Sequence, residues 1–150
     1  VAIDGFPFRG RDHTELGHIP VCRVEGDTYP GRCPFHGDCL EGMACGPAIA
    51  DRWRADPFTL GDRDEVWELE AAYLAQLVRV FTYSFVPDIV LLGGGVGTRP
   101  DLAERVQDAV TVDLGGYSVS HAENAALVAT AGLGEEAGLL GAALLAESLL

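Results

Sequence analysis

Two cysteines, a histidine and two acids lie within nine consecutive residues, CPFHGDCLE, which begin at Cys33. Thiolate and imidazole groups are ligands that Zn²⁺ prefers, and Cys33, His36 and Cys39 supply three of them within a short loop. Pro34 and Gly37 favour the turns that such a loop needs. The spacing therefore predicts a tetrahedral zinc site that takes its fourth ligand from elsewhere in the chain.

The spacing alone leaves the fourth ligand open. His18, in the segment ELGHIP, is the first candidate, and His13 and Cys22 are the alternatives. A site with four protein ligands has no open position for water, so we expect structural rather than catalytic zinc. The other interpretations are a merely buried cysteine cluster, or a disulfide between Cys33 and Cys39, which is rare in cytosolic proteins.

Two glutamates lie close to these ligands in the sequence, Glu15 shortly before His18 and Glu41 shortly after Cys39. A metal-bound loop would hold both carboxylates in place, and fixed carboxylates can bind a polar ligand such as the hydroxyl groups of a sugar. The alternative interpretation is that both acids lie on an ordinary solvated surface.

A run of glycines follows a short apolar segment in IVLLGGGV, and it contains Gly93, Gly94 and Gly95 before Val96. Glycines after a strand let the backbone approach a ligand closely, and open α/β sheets bind nucleotides where their strands end. Three glycines are also common in tight strand-to-helix turns. The run is neither a dinucleotide fingerprint nor a Walker loop, so by itself it indicates a nucleotide only weakly.

The elements that would position these residues alternate between strand and helix in the second half, which is typical of the α/β class. In the first half, hydrophobic spacing and turn residues predict a hairpin over 1–10, an irregular segment over 11–40, a helix over 41–53, and a long helix begun by Asp62 or Asp64 and ended by Pro87. In the second half they predict a strand over 88–92, a helix from Pro100 to about Val110, a weaker strand over 117–119 and a closing helix over 135–150.

Composition excludes some classes of partner. The 150 residues carry a net charge of −13, and all ten basic residues are arginines. An acidic chain without a basic stripe is a poor ligand for nucleic acid or anionic membranes, and we expect neither as a partner.

The apolar run over 138–146 is too short to span a bilayer, so we expect a cytoplasmic protein. Because the opening strand has no preceding strand to pair with, we expect the C-terminal part of a longer protein.

Taken together, the segments ELGHIP, CPFHGDCLEG, IVLLGGGV and LGEEAGLLGAALL resemble the ROK family of sugar kinases. The C-x-x-H-x-x-C-x-E spacing is most similar to the bacterial fructokinase branch, since other ROK kinases usually carry a three-cysteine box. The resemblance implies the C-terminal lobe of an actin-like ATPase (ribonuclease H-like) fold over 1–150. Within it, the zinc loop would span about 11–41, and a nucleotide-facing strand and turn would span about 88–97.

The resemblance also implies roles for particular residues. It assigns contacts with the sugar to Glu15, His18 and Glu41, zinc coordination to His18, Cys33, His36 and Cys39, and the nucleotide-facing positions to Gly93, Gly94, Gly95 and Val96. The implied reaction is ATP-dependent phosphorylation of a hexose, fructose to fructose 6-phosphate, with structural Zn²⁺, and with Mg²⁺ accompanying ATP. The implied assembly is a homo-oligomer, which we expect to be a dimer.

The sequence also departs from the family pattern. The phosphate loop D-x-G-G-T and the segment N-D-x-N-A, which holds the family's catalytic aspartate, are both absent from these 150 residues. We therefore assign no catalytic base and expect the isolated chain to be inactive. The alternative function is a non-catalytic sugar-sensing domain of a ROK-type regulator.

Overall fold

The fold is described by a computed structural model for residues 1–8, 10–12, 14–61, 63–117 and 126–147. Within these ranges, four short strands and six α-helices follow in chain order, with 3-10 turns at Leu16–His18, Pro57–Thr59 and Gly134–Glu136. The strands are β1 Ala2–Ile3, β2 Phe6–Pro7, β3 Val90–Leu92 and β4 Val128–Thr130, and the helices are α1 Leu40–Ala44, α2 Gly46–Trp53, α3 Asp64–Phe85, α4 Gly94–Gly97, α5 Leu102–Leu114 and α6 Ala137–Glu147.

The predicted hairpin is present at the start of the chain. Strands β1 and β2 pair antiparallel, with Ile3 opposite Phe6. The turn between them contains Asp4 and Gly5, both at positive φ, which is the backbone geometry that an Asp-Gly turn supplies.

A β-α-β unit forms the largest part of the core. Strands β3 and β4 pair in parallel, with Val90 opposite Val128, and α5 lies in the connection between them. Helix α3 packs along α5. The buried side chains of this layer are Ala71, Ala75, Val78, Val90, Leu102, Val106, Val110, Leu114, Leu127 and Val128. A parallel pair joined by a helix confirms the predicted α/β class.

The long segment before α1 has little regular structure, and it is fastened to the opposite face of α3. Ile19, Val21, Val24 and Tyr29 pack against a small core of Leu40, Met43 and Tyr73. The Gln76 side chain also binds the backbone of Cys22 twice: its amide N–H donates to the Cys22 carbonyl (2.8 Å), and its carbonyl accepts from the Cys22 N–H (2.7 Å). One side-chain amide thus replaces the ladder bonds that an unpaired extended segment lacks.

The single helix predicted over 41–53 is wrong, because two helices occupy this span. Cys45 is extended, with φ −96° and ψ 159°, and it ends α1 and begins α2. Pro47 lies in the first turn of α2, where its missing N–H costs nothing. In a continuous helix the same proline would have removed an interior hydrogen bond, so the chain breaks before it.

Other boundaries also differ from prediction. The second strand of the parallel pair is Val128–Thr130 rather than 117–119: Tyr117 is outside any strand, and residues 118 and 119 lie outside the described part of the chain. Asp64 is the first residue of α3, whereas Asp62 is not described. Helix α5 begins two residues after Pro100 and runs on to Leu114. Within the described ranges, no helix is long and apolar enough to cross a membrane.

Candidate metal centre and neighbouring cavity

Four side chains from two parts of the chain converge at one point. One ligand atom from each of His18, Cys33, His36 and Cys39 lies within 4.8 Å of all the others. The His18 Nδ1 atom is 3.7 Å from Cys33 Sγ and 3.6 Å from Cys39 Sγ, and His36 Nδ1 is 3.8 Å from Cys33 Sγ. Zinc bonds of about 2.3 Å to sulfur and 2.0–2.1 Å to nitrogen give a tetrahedral edge of about 3.6 Å, so the set fits this ion.

The three clustered ligands are held by a tight loop. Cys33 and Gly37 exchange two backbone hydrogen bonds, of 3.0 and 2.9 Å, which close the turn that carries His36. Gly37 lies at φ +67°, in the left-handed region that favours glycine. A Cβ atom on Gly42 would lie only 2.0 Å from the Gly37 carbonyl oxygen, so this position also requires glycine.

The fourth ligand is brought in by a separate 3-10 turn. His18 ends the turn Leu16–His18, and the next residue, Ile19, accepts a 3.0 Å hydrogen bond from the Leu40 N–H through its carbonyl. A bridge between Pro20 and Cys39 continues this pairing. Of the two alternatives, Cys22 is exposed and is not part of the cluster, and His13 lies outside the described residues.

The two thiols differ electrostatically. Burial opposes ionisation of Cys33, but the backbone N–H groups of Phe35 and His36 and the side chains of Cys39 and His36 outweigh it and lower the Cys33 pKa to about 6. Burial and the neighbouring Cys33 sulfur raise the pKa of Cys39. Two adjacent sulfurs therefore resist holding two negative charges by themselves, and a cation between them would remove that conflict. This is the donor chemistry of a Cys₂His₂ zinc site.

Glu41 lies against the outer side of this cluster. Its Oε2 atom is 3.3 Å from the Nε2 atom of His18, while Nδ1 of the same ring faces the sulfurs. A carboxylate on the distal nitrogen orients a metal-binding imidazole and makes it more basic. Glu15 lies immediately before the 3-10 turn that carries His18, with an exposed side chain. The three predicted sugar-binding residues thus include one close pair, His18 and Glu41.

A buried ionic cluster that sequence reasoning missed forms around Asp27 and Arg52. The Asp27 and Arg52 side chains are only 5% and 8% exposed, and they are 3.1 Å apart. The Tyr73 hydroxyl donates to the same Asp27 oxygen at 2.6 Å, and the Arg52 guanidinium lies over the rings of Tyr29 and Tyr73. Asp27 lies between His18 and Cys33 in sequence, so the cluster attaches the segment between these two residues to α2 and α3. Asp27 follows Gly26 in a loop, and that sequence gives no signal that the acid will be buried.

Glu70 was also missed, although a signal existed. It lies four residues after Val66 and three before Tyr73, on the buried stripe of α3. Its side chain is 1% exposed, and neither carboxyl oxygen has a hydrogen-bond partner among the residues described. Burial raises the pKa of Glu70 to about 8, against the opposing charge of Arg52. It is therefore a largely protonated acid at neutral pH.

The glycine-rich turn opens on a cavity. Gly93 is extended after β3, and the short helix α4 follows it. Gly95 and Val96 lie on the wall of a cavity of about 540 Å³, whose other lining residues are Gly46, Pro47, Pro57, Phe58, Trp67, Thr98, Arg99 and Pro100. Gly93 and Gly94 are not among the lining residues. This volume lies within the usual range of small-molecule sites.

Comparison with known proteins agrees with these features. The sequence profile of the ROK family matches residues 1–148. Among curated relatives, a putative fructokinase of Bacillus subtilis (strain 168) is 35% identical over 99% of this chain and 50% of its own length, and a fructokinase of Pediococcus pentosaceus is 37% identical over 95% and 49%. The solved ROK hexokinase from Thermus thermophilus aligns with a TM-score of 0.65 at 29% identity, over 91% of this chain and 49% of that one. The chain thus spans about half the length of these relatives.

Proposed function

Because the chain belongs to the ROK family and has the α/β class of its actin-like ATPase fold, we propose that it is the C-terminal lobe of an ATP-dependent hexose kinase. Fructose is the proposed acceptor and fructose 6-phosphate the product. The observation that carries this proposal is the contact between Glu41 and His18 at the edge of the Cys-His cluster, in a chain whose relatives include proteins named fructokinase.

The sugar would be bound by Glu15, His18 and Glu41. Sugar hydroxyl groups donate readily to carboxylates, and such charge-assisted bonds are stronger than neutral ones. The Glu41 side chain is 55% exposed even though it contacts His18, so its remaining oxygen positions are open to a ligand. The His18 ring would also contact the sugar, and it connects the sugar site to the two cysteines of the cluster.

Zn²⁺ would be held by His18, Cys33, His36 and Cys39 and would act as a structural cross-link. All four positions of a tetrahedron would be filled by protein atoms, which leaves none for water or substrate. Coordination would then fix the orientation of the His18 ring. The 3.3 Å contact between His18 and Glu41 would in turn hold the Glu41 carboxylate in place. Cross-linking compensates for the lack of regular structure in this segment.

The nucleotide would lie along the cavity at Gly95 and Val96, close to the turn formed by Gly93 and Gly94. Transfer of the γ-phosphoryl group requires Mg²⁺ to neutralise charge and a base to accept the proton of the sugar hydroxyl. No residue of this chain is assigned as that base, and we propose that the other half of the kinase supplies it. Assembly as a dimer and a cytoplasmic location stay predictions.

Glu41→Gln in the full-length gene product tests the sugar site. A hydrogen bond to a charged group contributes about 1.5–3 kcal/mol, so the KM for fructose should rise roughly ten- to a hundredfold, with little change in the KM for ATP. Asp38→Asn is the matched control, because this acid lies in the same loop but pairs with Arg23 on the surface. Equal weakening of both substrates would contradict the assignment.

The same preparations separate the kinase from the alternative function. A kinase converts ATP and fructose to ADP and a phosphorylated sugar in a coupled assay. A sugar-sensing regulator would bind the sugar in calorimetry and transfer no phosphoryl group. Fructose, mannose and glucose tested side by side would identify the preferred acceptor.

A further inference from the structure

The cavity beside the glycine-rich turn has an unusual wall, because one aromatic ring projects from it into solvent. Phe58 is 83% exposed, and the backbone of the turn that carries it is held by two hydrogen bonds: the Phe58 N–H donates to Asp56 Oδ1 at 2.9 Å, and the Thr59 hydroxyl donates to the Asp56 carbonyl at 2.7 Å. Exposure of a phenyl ring is unfavourable in water, so cover by a ligand would be favourable. Because this ring also lines a cavity, it can stack on a flat ligand bound there.

The tip of the ring lies beside the glycine-rich turn. A Cβ atom on Gly95 would lie 3.8 Å from the Cζ atom of Phe58, and one on Gly46 would lie 3.6 Å from a Val96 methyl group. Side chains at these two glycines would therefore occupy the cavity. The tip of the Phe58 ring therefore lies next to Gly95, and both residues belong to the same rim of the cavity.

Polar groups on the cavity wall are already engaged within the protein. The Trp67 indole N–H donates to the Gly61 carbonyl at 3.0 Å, and the Thr98 hydroxyl donates to the Gly94 carbonyl at 3.0 Å. The Arg99 guanidinium lies over the Trp67 ring, and its Nε atom is 3.7 Å from Asp101 Oδ1, an ion-pair contact that is too long for a hydrogen bond. The other lining side chains are those of proline, phenylalanine and valine. The wall therefore favours a flat apolar ligand over one that needs many hydrogen bonds.

We propose that Phe58 stacks on the base of the phosphoryl donor, and that this pocket accepts purine bases by shape and stacking with little discrimination between adenine and guanine. The inference rests on the proposed kinase function, because it takes the nucleotide to lie at Gly95 and Val96. Stacking tolerates different bases because each has a π-face. Apolar pockets reject close analogues by no more than about a hundredfold, whereas sites built on hydrogen bonds reject them far more strongly.

Calorimetric titration of the full-length gene product with ADP, GDP and tripolyphosphate tests this inference. Phe58→Ala should weaken ADP and GDP binding roughly five- to a hundredfold, as loss of one base-stacking ring does, and leave tripolyphosphate binding unchanged because that ligand has no base. Phe58→Tyr keeps the ring and should bind ADP like the wild type. Phe6→Ala is the matched control, since this phenylalanine is also exposed (75%) but lies in the β1–β2 hairpin.

The outcomes separate this inference from the function on which it rests. If Phe58→Ala binds ADP as well as Phe6→Ala does, or weakens tripolyphosphate equally, Phe58 does not stack on the base. If GDP binds the wild type more than about a hundredfold more weakly than ADP, hydrogen bonds and not shape select the base. Either result overturns the inference and leaves the kinase intact. A wild-type protein that binds neither nucleotide nor tripolyphosphate would overturn the proposed function as well.

Discussion

Removal of the Asp27 carboxylate should destabilise the segment between His18 and Cys33 more than any change on its surface. The carboxylate faces Arg52 at 3.1 Å, accepts from the Tyr73 hydroxyl at 2.6 Å, and accepts from the Tyr29 N–H at 3.0 Å. Asp27→Ala would delete all three contacts together. It would also leave a guanidinium that is 8% exposed without its ion-pair partner.

The size of the loss in stability follows from the burial of this ion pair. Loss of one partner of a buried ion pair costs about 3–5 kcal/mol, because the remaining charge stays in a poorly solvated site. Arg52 would retain its 3.0 Å bond to the Met43 carbonyl and its contacts with the two tyrosine rings, which moderates the loss. The charge of Arg52 also acts on Glu70 and favours its ionised form, so ionisation of Glu70 would partly compensate for the lost carboxylate. We therefore expect a loss of about 3 kcal/mol in the free energy of unfolding, at the lower end of the range.

Urea unfolding of the zinc-loaded 150-residue chain at pH 7 measures this loss, with tryptophan fluorescence as the signal. Asp38→Ala is the control, because Asp38 pairs with Arg23 at 2.9 Å but both side chains are largely exposed, at 58% and 38%. An exposed pair contributes about 0–1 kcal/mol. If the two variants differ by less than about 1 kcal/mol, the buried cluster does not stabilise the loop as argued.

Three further predictions concern the metal, the buried acid and the isolated chain. Elemental analysis should find one zinc per chain, which Cys33→Ser should lose and Cys22→Ser should retain; equal zinc in both variants would contradict the site. Burial raises the pKa of Glu70 from 4.5 to about 8, so the wild type should lose stability relative to Glu70→Gln as the pH rises between these values, by up to about 1.4 kcal/mol per pH unit. A difference in urea unfolding that does not change with pH would contradict this. Finally, the 150-residue chain alone should bind zinc yet give no turnover in a coupled ATP-and-fructose assay, whereas turnover near the full-length rate would place the base within it.

Local sequence patterns were sufficient to predict much of the structure of this protein. Ligand types and turn residues in CPFHGDCLE predicted three neighbouring zinc ligands, and the loop closed by Cys33 and Gly37 holds them together. Alternation of apolar runs with glycine and proline predicted the hairpin, α3, β3 and α5. The hairpin and the two helices depend on interactions between residues close in sequence, whereas β3 was recognisable as a short apolar run although its partner strand β4 is distant. The α/β class and the ROK family followed from the same short segments, and both are confirmed.

Tertiary structure decided what depends on distant contacts. The choice of His18 over Cys22 depends on the pairing of Pro20 with Cys39, and no spacing rule predicts that pairing. Burial of Asp27 depends on Arg52 and Tyr73, which come from two helices further along the chain. An acid on a loop is ordinarily solvated, and it becomes buried only where separate elements supply a countercharge and hydrogen-bond donors. The cavity at Phe58 likewise exists only where a 3-10 turn, α2 and the glycine-rich turn meet, because each contributes one wall.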